Sequence, residues 1–394
     1  MKKTVRIFNP EHDLALAFGA ENYTAPPMAQ RLRRDLQLLP AWISSPHDSL
    51  LSQNTEDDTL FLNSLNSKYS IEVFAFPYSS LNHAENIIPW GWDYDLRKRL
   101  FTSGAQSRIL PSDSQIDSIR QLSHRRLTIE FQNILHDKIS EIQCPIPVEL
   151  NNFNDIHSFA VNYSEAYIKA PWSASGKGIF RVLDSEAIEF ERWCRGILRR
   201  QGSILCEQPL SPLMDFALEF ECLDGCTSFI GYSIFHNDAH RSFDSGEVMS
   251  SAKLRDKICS TLQNDSLIDR VKAVLIDILN SKIAPFYNGC LGIDMLIYQD
   301  ADNSPLLNPC IEINLRHTMG IVTSIIGDKF INPASQGIFK IEYHKKPISS
   351  VYIKNIAVEH PLKIQNGKII EGFQLLAPLY NDSRYCAYII VNRD

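Results

Sequence analysis

Gly289-Cys-Leu-Gly-Ile-Asp-Met-Leu-Ile-Tyr298, followed by Ile311-Glu-Ile-Asn-Leu-Arg316, decides how this chain is read. Both runs are apolar and strand-like, and a short turn joins them. On a strand alternate side chains share a face, so Glu312 and Asn314 point one way while Ile311, Ile313 and Leu315 point into a core. Asp294, flanked by Ile293 and Met295, turns its carboxylate away from both, and a buried unpaired carboxylate is costly. Oxygen ligands suit a hard divalent cation. Magnesium takes one or two carboxylates and leaves the remaining positions to water and substrate phosphates, so Asp294, Glu312 and Asn314 form a candidate magnesium site that asks for a phosphate donor.

A phosphate-binding segment lies upstream. Ala166-Tyr-Ile-Lys-Ala-Pro-Trp-Ser-Ala-Ser-Gly-Lys-Gly-Ile-Phe-Arg-Val182 reads as strand, small-residue loop and strand. Ser173, Ser175, Gly176 and Gly178 offer hydroxyls and unshielded backbone N–H groups, and Lys169 and Lys177 add positive charge. The segment is not a P-loop. Gly178 follows Gly176-Lys177 where Ser or Thr is required, and Pro171 stands where the first Gly belongs. Taken alone, such a loop is also compatible with a surface turn; its pairing with the downstream carboxylates singles it out.

In this order the features resemble the ATP-grasp superfamily, over roughly residues 122–326. In that family a strand lysine precedes a glycine-rich loop, a Glu-containing hinge meets adenine, and an Asp strand precedes a Glu-x-Asn strand that binds magnesium. The matching positions are Lys169, the 173–178 loop, Ile204-Leu-Cys-Glu-Gln-Pro209 with Glu207, Gln208 and Pro209 at the hinge, Asp294, and Glu312 with Asn314. By the same resemblance Arg125, in Ser123-His-Arg125, takes the place of a helix-start cation that touches phosphate, and Asp215 that of a ribose-binding acid. Arg316 matches the arginine of the Glu-x-Asn-x-Arg form in carboxylase-like members, where it faces the reacting phosphoryl group. Gly292 departs from the peptide-ligase-like members, which carry Arg there, and Arg316 is the candidate to replace it.

The resemblance implies two α+β subdomains clamping ATP, preceded by a Rossmann-like α/β domain. It also implies ATP with one or two magnesium ions, small-molecule carboxylate and amine substrates, and catalytic roles for Lys169, Lys177 and Arg316. The reaction it implies is ADP-forming ligation through an acyl phosphate, with an amine or thiol as acceptor. A small-molecule kinase and a non-catalytic nucleotide-binding protein are the alternatives. Several residues carry a structural reading beside the functional one. Lys169 sits between Ile168 and Ala170 and asks for a buried partner, Glu207 also suits a solvated strand end, Arg316 also suits a salt bridge with Glu312, and Asp215 after Ser211-Pro212 suits a turn.

Composition bounds the answer. At 394 residues the chain has room for two or three domains. A net charge of −7 without a long basic run argues against nucleic acid. Nine scattered cysteines, with no Cys-x-x-Cys pair, fit reduced thiols in the cytoplasm rather than a disulfide framework or a zinc site. The start, Met-Lys-Lys, runs into a strand rather than a signal-peptide apolar region, and no stretch is apolar enough for a membrane span. Family members are often dimers, which leaves a homodimer open.

Three units are expected. Residues 1–105 form the Rossmann-like leading domain, with strands at Thr4 to Phe8 and Glu72 to Phe76, a helix at Met28 to Leu38, and a polar, mobile stretch from Ser44 to Asp58. Residues 106–334 form the ATP-grasp domain, with helical stretches from Pro111 to Lys138, Ser185 to Gln201 and Ser266 to Phe286. Residues 335–394 are a β-rich segment with a hairpin turn at Asn366-Gly367. Substrate recognition is assigned to the loop after the first strand, where Glu11, His12 and Asp13 offer a grip on an amine; Asn9 or Asp13 capping the next helix is the other reading. Trp90 and Trp92 suit core packing more than an aromatic wall. Arg241 either reaches the acyl phosphate or nucleotide from a loop or is simply exposed.

Overall fold

Short apolar runs in the first ninety residues build a parallel sheet. The computed structural model describes residues 3–53, 55–163, 165–173, 178–238 and 243–393. Strands β1 (Thr4–Ile7), β2 (Ser49–Ser52), β3 (Phe74–Pro77) and β4 (Asn86–Pro89) lie in the order β3-β2-β1-β4, all parallel. The stretch expected to be mobile contains β2, whose four residues are all buried between β1 and β3. A central parallel strand is covered on both faces and shows no polar alternation, so a run as short as Ser49-Leu-Leu-Ser52 carries little signal. The expected helix at 28–38 runs over Pro27–Asp35, with proline in its first turn, and gives way to a 3-10 turn at Leu39–Ile43.

The middle of the chain folds as a small antiparallel sheet. Strands β5 (Val148–Leu150), β6 (Ala166–Lys169), β7 (Ile179–Val182) and β8 (Ile204–Glu207) are ordered β5-β8-β6-β7. Helices Phe153–Val161 and Ile188–Gln201 cover one face, where Ile156, Ile168, Phe190 and Cys194 are buried together. The longer helix stops at Gly202, whose φ of 85° is the left-handed cap that glycine adopts without strain.

The remaining strands make one large sheet. They are β9 (Ser211–Leu223), β10 (Cys226–Asn237), β11 (Phe243–Val248), β12 (Gly289–Gln299), β13 (Pro305–Asn314), β14 (Ser335–Tyr343), β15 (Lys363–Gln365), β16 (Lys368–Leu375) and β17 (Tyr385–Arg393). Their order is β13-β12-β9-β10-β11-β14-β17-β16-β15, so strands from residues beyond 335 extend the sheet that carries Asp294 and Glu312. Helix Leu267–Lys282 packs Val271, Leu275 and Leu279 against Phe216, Leu218 and Ile293 in the largest core cluster. Each such fully buried side chain contributes about 1.5–3 kcal/mol relative to exposure.

The β15–β16 hairpin turns at Asn366 and Gly367, with φ of 52° and 72°, the paired left-handed conformation of a two-residue turn. The helical stretch from Pro111 is two helices, Asp113–Leu122 and Arg126–Lys138, interrupted at residues 123–125. That interruption places Arg125 at the site described next.

Candidate active site

Asp294 and Glu312 are register partners on β12 and β13, and Asn314 follows Glu312 on the same face, opposite Gly292. The pairing brings two carboxylates side by side. Burial pushes the Asp294 carboxyl well above its ordinary range, and the charges of Glu312 and then Glu219 push the same way, against Arg316 and a hydrogen bond with Asn314. Two acids crowded like this favour a shared cation. All three side chains present oxygen, the donor that magnesium takes.

Arg125 ties this strand pair to the small sheet. Its Nη2 donates to Glu312 Oε1 at 2.6 Å, while Nη1 donates to the Ala170 carbonyl at 2.6 Å and to Ser173 Oγ at 2.7 Å. Its backbone N–H reaches the Pro171 carbonyl at 3.1 Å. The break between the two helices makes this possible, because a continuous helix would use that N–H internally. The Arg125 Nε is buried with no hydrogen-bond partner among the described residues. A guanidinium N–H left over beside Ser173 fits an anion such as phosphate.

Lys169 is buried on β6 and pairs with Glu207 of β8, Nζ to Oε2, at 2.6 Å. The lysine thus has the partner that its apolar neighbours demanded, and Glu207 is not a bare solvated strand end. Gln208 is exposed and Pro209 half-buried immediately beyond. The loop from β6 closes through a bond from Ala170 N–H to the Gly178 carbonyl at 2.8 Å. A Cβ at Gly178 would collide with Ser173, so this close approach requires glycine. Ser175, Gly176, Lys177 and Arg241 lie outside the described residues. Asp215 lies within β9 rather than in a turn, where it accepts from Asn237 Nδ2 at 3.3 Å.

Arg316 reads across to the leading domain. Its Nε donates to Asp13 Oδ2 at 2.7 Å, its Nη2 to Asn314 Oδ1 at 3.1 Å and its Nη1 to the His317 carbonyl at 3.2 Å. Burial opposes its charge, yet Asp13, Glu312 and Asp294 raise its pKa above the ordinary arginine value, so it stays a cation. Its ion-pair partner is Asp13, not Glu312, whose bond goes to Arg125.

The three residues after β1 do not converge. Asp13 faces the site through Arg316. Glu11 is buried and holds Arg33 and Arg99, and its Oε2 has no hydrogen-bond partner among the described residues. His12 is buried too, 3.6 Å from Asp93, with its ring against Gly91, where a Cβ would fall 2.5 Å away. Neither Asn9 nor Asp13 caps the helix His12–Phe18. Asn9 bonds to the Gly91 carbonyl, and Glu11 is the cap residue, with no side-chain cap bond. Trp90 is buried against Phe8 and His317, in keeping with core packing.

The sequence reading passed over Glu219. It lies on β9 beside Gly292, fully buried, and accepts from Ser233 Oγ at 2.9 Å and Thr318 Oγ1 at 3.0 Å. Burial pushes its carboxyl up to about 7 despite those bonds and the Arg316 charge. A Cβ at Gly292 would sit 2.6 Å from its Oε2, and one at Gly320 would collide with its Oε1. This explains the Gly292 departure: a carboxylate from the neighbouring strand occupies the space above that position. The available signal was a glutamate inside Phe216-Ala-Leu-Glu-Phe220, otherwise wholly apolar.

Two recesses are relevant, one beside these groups and one apart from them. A shallow one lies among Asp13, Ser173, Glu312 and Asn314. A larger cavity of about 480 Å³ lies elsewhere, at the carboxyl ends of the leading strands, between Tyr23, Arg33, Tyr78, Lys98 and Arg99. No described helix is long and apolar enough to cross a membrane.

No protein-family model matches the sequence, and comparison with curated proteins finds no match. Solved structures do match along the whole chain. Biotin carboxylase from Campylobacter jejuni, in a βγ-ATP complex, is similar at 13% identity and a TM-score of 0.53, covering 100% of this chain and 88% of that one. The biotin carboxylase domain of 2-oxoglutarate carboxylase from Hydrogenobacter thermophilus, a dimer with MgADP, ADP and bicarbonate, aligns at 11% identity and 0.55, covering 99% and 86%. N5-carboxyaminoimidazole synthetase from Staphylococcus aureus, with ADP, aligns at 14% and 0.50, covering 100% and 95%.

Proposed function

The chain has the ATP-grasp fold, and on it we propose an ATP- and magnesium-dependent ligase that joins a carboxylate to an amine, releasing ADP and phosphate. The observation that carries this reading is the Asp294–Glu312 register pair, bound through Arg125 to the Ser173 loop. In this reading one side chain, Arg125, links the carboxylates that would hold a divalent cation to the loop that would hold phosphate. Fold alone does not choose a reaction; the oxygen donor set, with Lys169, Arg125 and Arg316 near it, supports this one.

In the first step a substrate carboxylate oxygen bonds to the γ-phosphorus of ATP as the β–γ bridging P–O bond breaks, giving an acyl phosphate and ADP. An amine then bonds to the carbonyl carbon, the C–O bond to phosphate breaks, and the amine loses a proton. Asp294, Glu312 and Asn314 would hold the magnesium, which when bound would supply charge neutralisation on the transferring group. Arg125 directs its remaining N–H at the phosphates and keeps the Ser173 loop in place. Lys169, held by Glu207, and Arg316, held by Asp13, add fixed positive charge where negative charge grows, and we give Lys177 the same task. The 173–178 loop keeps water from the acyl phosphate. Gln208 and Pro209 form the adenine hinge in this reading and Asp215 meets the ribose.

We place one substrate in the leading domain, where the 480 Å³ cavity has the volume of a small-molecule site and lies beyond the strand ends, as ligands do in open α/β sheets. The deciding experiment measures ADP release with magnesium against pools of carboxylates and amines. The ligase predicts release that needs a carboxylate and yields an amide when an amine is supplied. Release that proceeds to a stable phosphorylated product with no use for an amine makes the chain a kinase, and no release from any pool removes the enzyme reading.

A further inference from the structure

The far half of the large sheet carries a second cluster of metal-ligating side chains, unconnected to the one just described. Glu342 on β14 and Cys386 on β17 are register partners. His344 follows Glu342 by two residues, so it returns to the same side of the strand. One donor atom from each of the three lies within 4.8 Å of the other two. We propose that Glu342, His344 and Cys386 form a zinc site.

The donor set separates it from the magnesium site. One carboxylate oxygen, one imidazole nitrogen and one thiol are the ligands of borderline-soft zinc and are not those of magnesium. Bonds of about 2.0–2.1 Å from a tetrahedral ion to nitrogen and oxygen set those donors roughly 3.3 Å apart. His344 Nε2 and Glu342 Oε2 are 3.1 Å apart, so the ion takes the place of the proton that these two atoms share. Three protein donors leave the fourth position to water.

The surroundings orient the ligands in advance. Tyr388 donates to Glu342 Oε1 at 2.5 Å and Tyr352 to Oε2 at 2.9 Å. Hydrogen bonds of this kind, from outside the ligand set to a ligating carboxylate, hold its geometry for a metal. The His344 backbone N–H bonds to the Arg384 carbonyl at 2.8 Å, which continues the β14–β17 ladder and fixes where the imidazole leaves the strand. Cys386 is buried against Ile348, Ile353 and Phe373, while the Glu342 and His344 side chains are about a quarter and a third exposed. An ion therefore enters from the solvent side and meets a thiol at the apolar floor. A thiol ligates zinc as the thiolate, so binding releases its proton.

Cobalt(II) reports the thiol directly, because a Co–S bond produces a thiolate-to-metal charge-transfer band. The full chain is stripped of metal and titrated with Co²⁺ in saturating Mg²⁺, which fills the all-oxygen site. One equivalent is expected to develop the band, and Zn²⁺ to bleach it. Cys386→Ser is expected to abolish it, and His344→Ala to weaken binding at least about tenfold, the loss that even outer-shell changes produce. Cys226→Ser removes the exposed cysteine and is expected to leave the band intact. Absence of a band at one equivalent, its persistence in Cys386→Ser, or its loss in Cys226→Ser overturns the proposal. If Cys386→Ser fails to fold, His344→Ala decides, since unchanged affinity there overturns the site as well.

Discussion

Two glutamates on one sheet stand in nearly the same backbone setting and do different things. Glu312 opposes Asp294 and is followed by Asn314; Glu342 opposes Cys386 and is followed by His344. In the first pair two acids compete, and the Asp294 carboxyl is pushed far up by burial and then by its neighbours' charge. In the second, burial also raises the Glu342 carboxyl, but bonds from Tyr388, His344 and Tyr352 outweigh it and leave the group below its ordinary range. Register geometry brings side chains together; donor chemistry decides whether the set suits a hard, oxygen-seeking cation or a borderline-soft one.

The largest expected effect breaks the first pair and spares the second. Glu312→Ala should lower magnesium-dependent ADP formation by about a thousandfold or more, on the order of 4 kcal/mol, while the cobalt band at Cys386 stays. Full turnover in that variant would remove the metal assignment.

Acid should weaken the oxygen-rich end next. His317, beside Arg316, is held down to about 4, first by burial and then by the charge of Arg6. Its neutral ring stabilises the fold fully above the unfolded value of about 6.5, and that contribution is lost as pH falls toward 4. The amount is roughly 3 kcal/mol at about 1.4 kcal/mol per unit. Thermal unfolding followed from pH 7 to 4 should therefore fall less steeply in His317→Gln than in the parent chain; equal slopes would reject this cause.

Arg125→Gln comes third. Loss of a charged donor should weaken ATP binding about tenfold to a hundredfold, or roughly 1.4–3 kcal/mol, read by calorimetry with the non-hydrolysed nucleotide. An unchanged affinity would leave Arg125 as a structural link only. The smallest effect is a control at the sheet's edge. Gly367→Ala strains a left-handed residue and should cost about 1 kcal/mol of stability, with neither the ADP assay nor the cobalt titration altered.

How much of this was readable in advance varies with the kind of signal. Strand alternation put Glu312 and Asn314 on one face, and the structure pairs Asp294 with them because two long apolar runs joined by a short turn have few other registers. The Asn366-Gly367 turn was equally plain. By contrast Ser49-Leu-Leu-Ser52 looked like a polar, mobile stretch because a strand covered on both faces need not alternate. Glu11, His12 and Asp13 looked like one grip, yet successive helical residues point about 100° apart, and the three side chains went to Arg33 and Arg99, to the Asp93 side of Gly91, and to Arg316.

Local order along the chain was thus enough for the motifs that carry the family resemblance and for the Asp294–Glu312 strand pair, since both depend on alternation and on neighbours a few residues apart. Partner choice was beyond it. That Arg125 reaches Glu312 across 187 positions, that Arg316 takes Asp13 rather than Glu312, and that Glu219 fills the space over Gly292 follow from which strands lie side by side. Side-chain pairing acts over a few ångströms, and only the folded sheets bring residues so distant in sequence to that range.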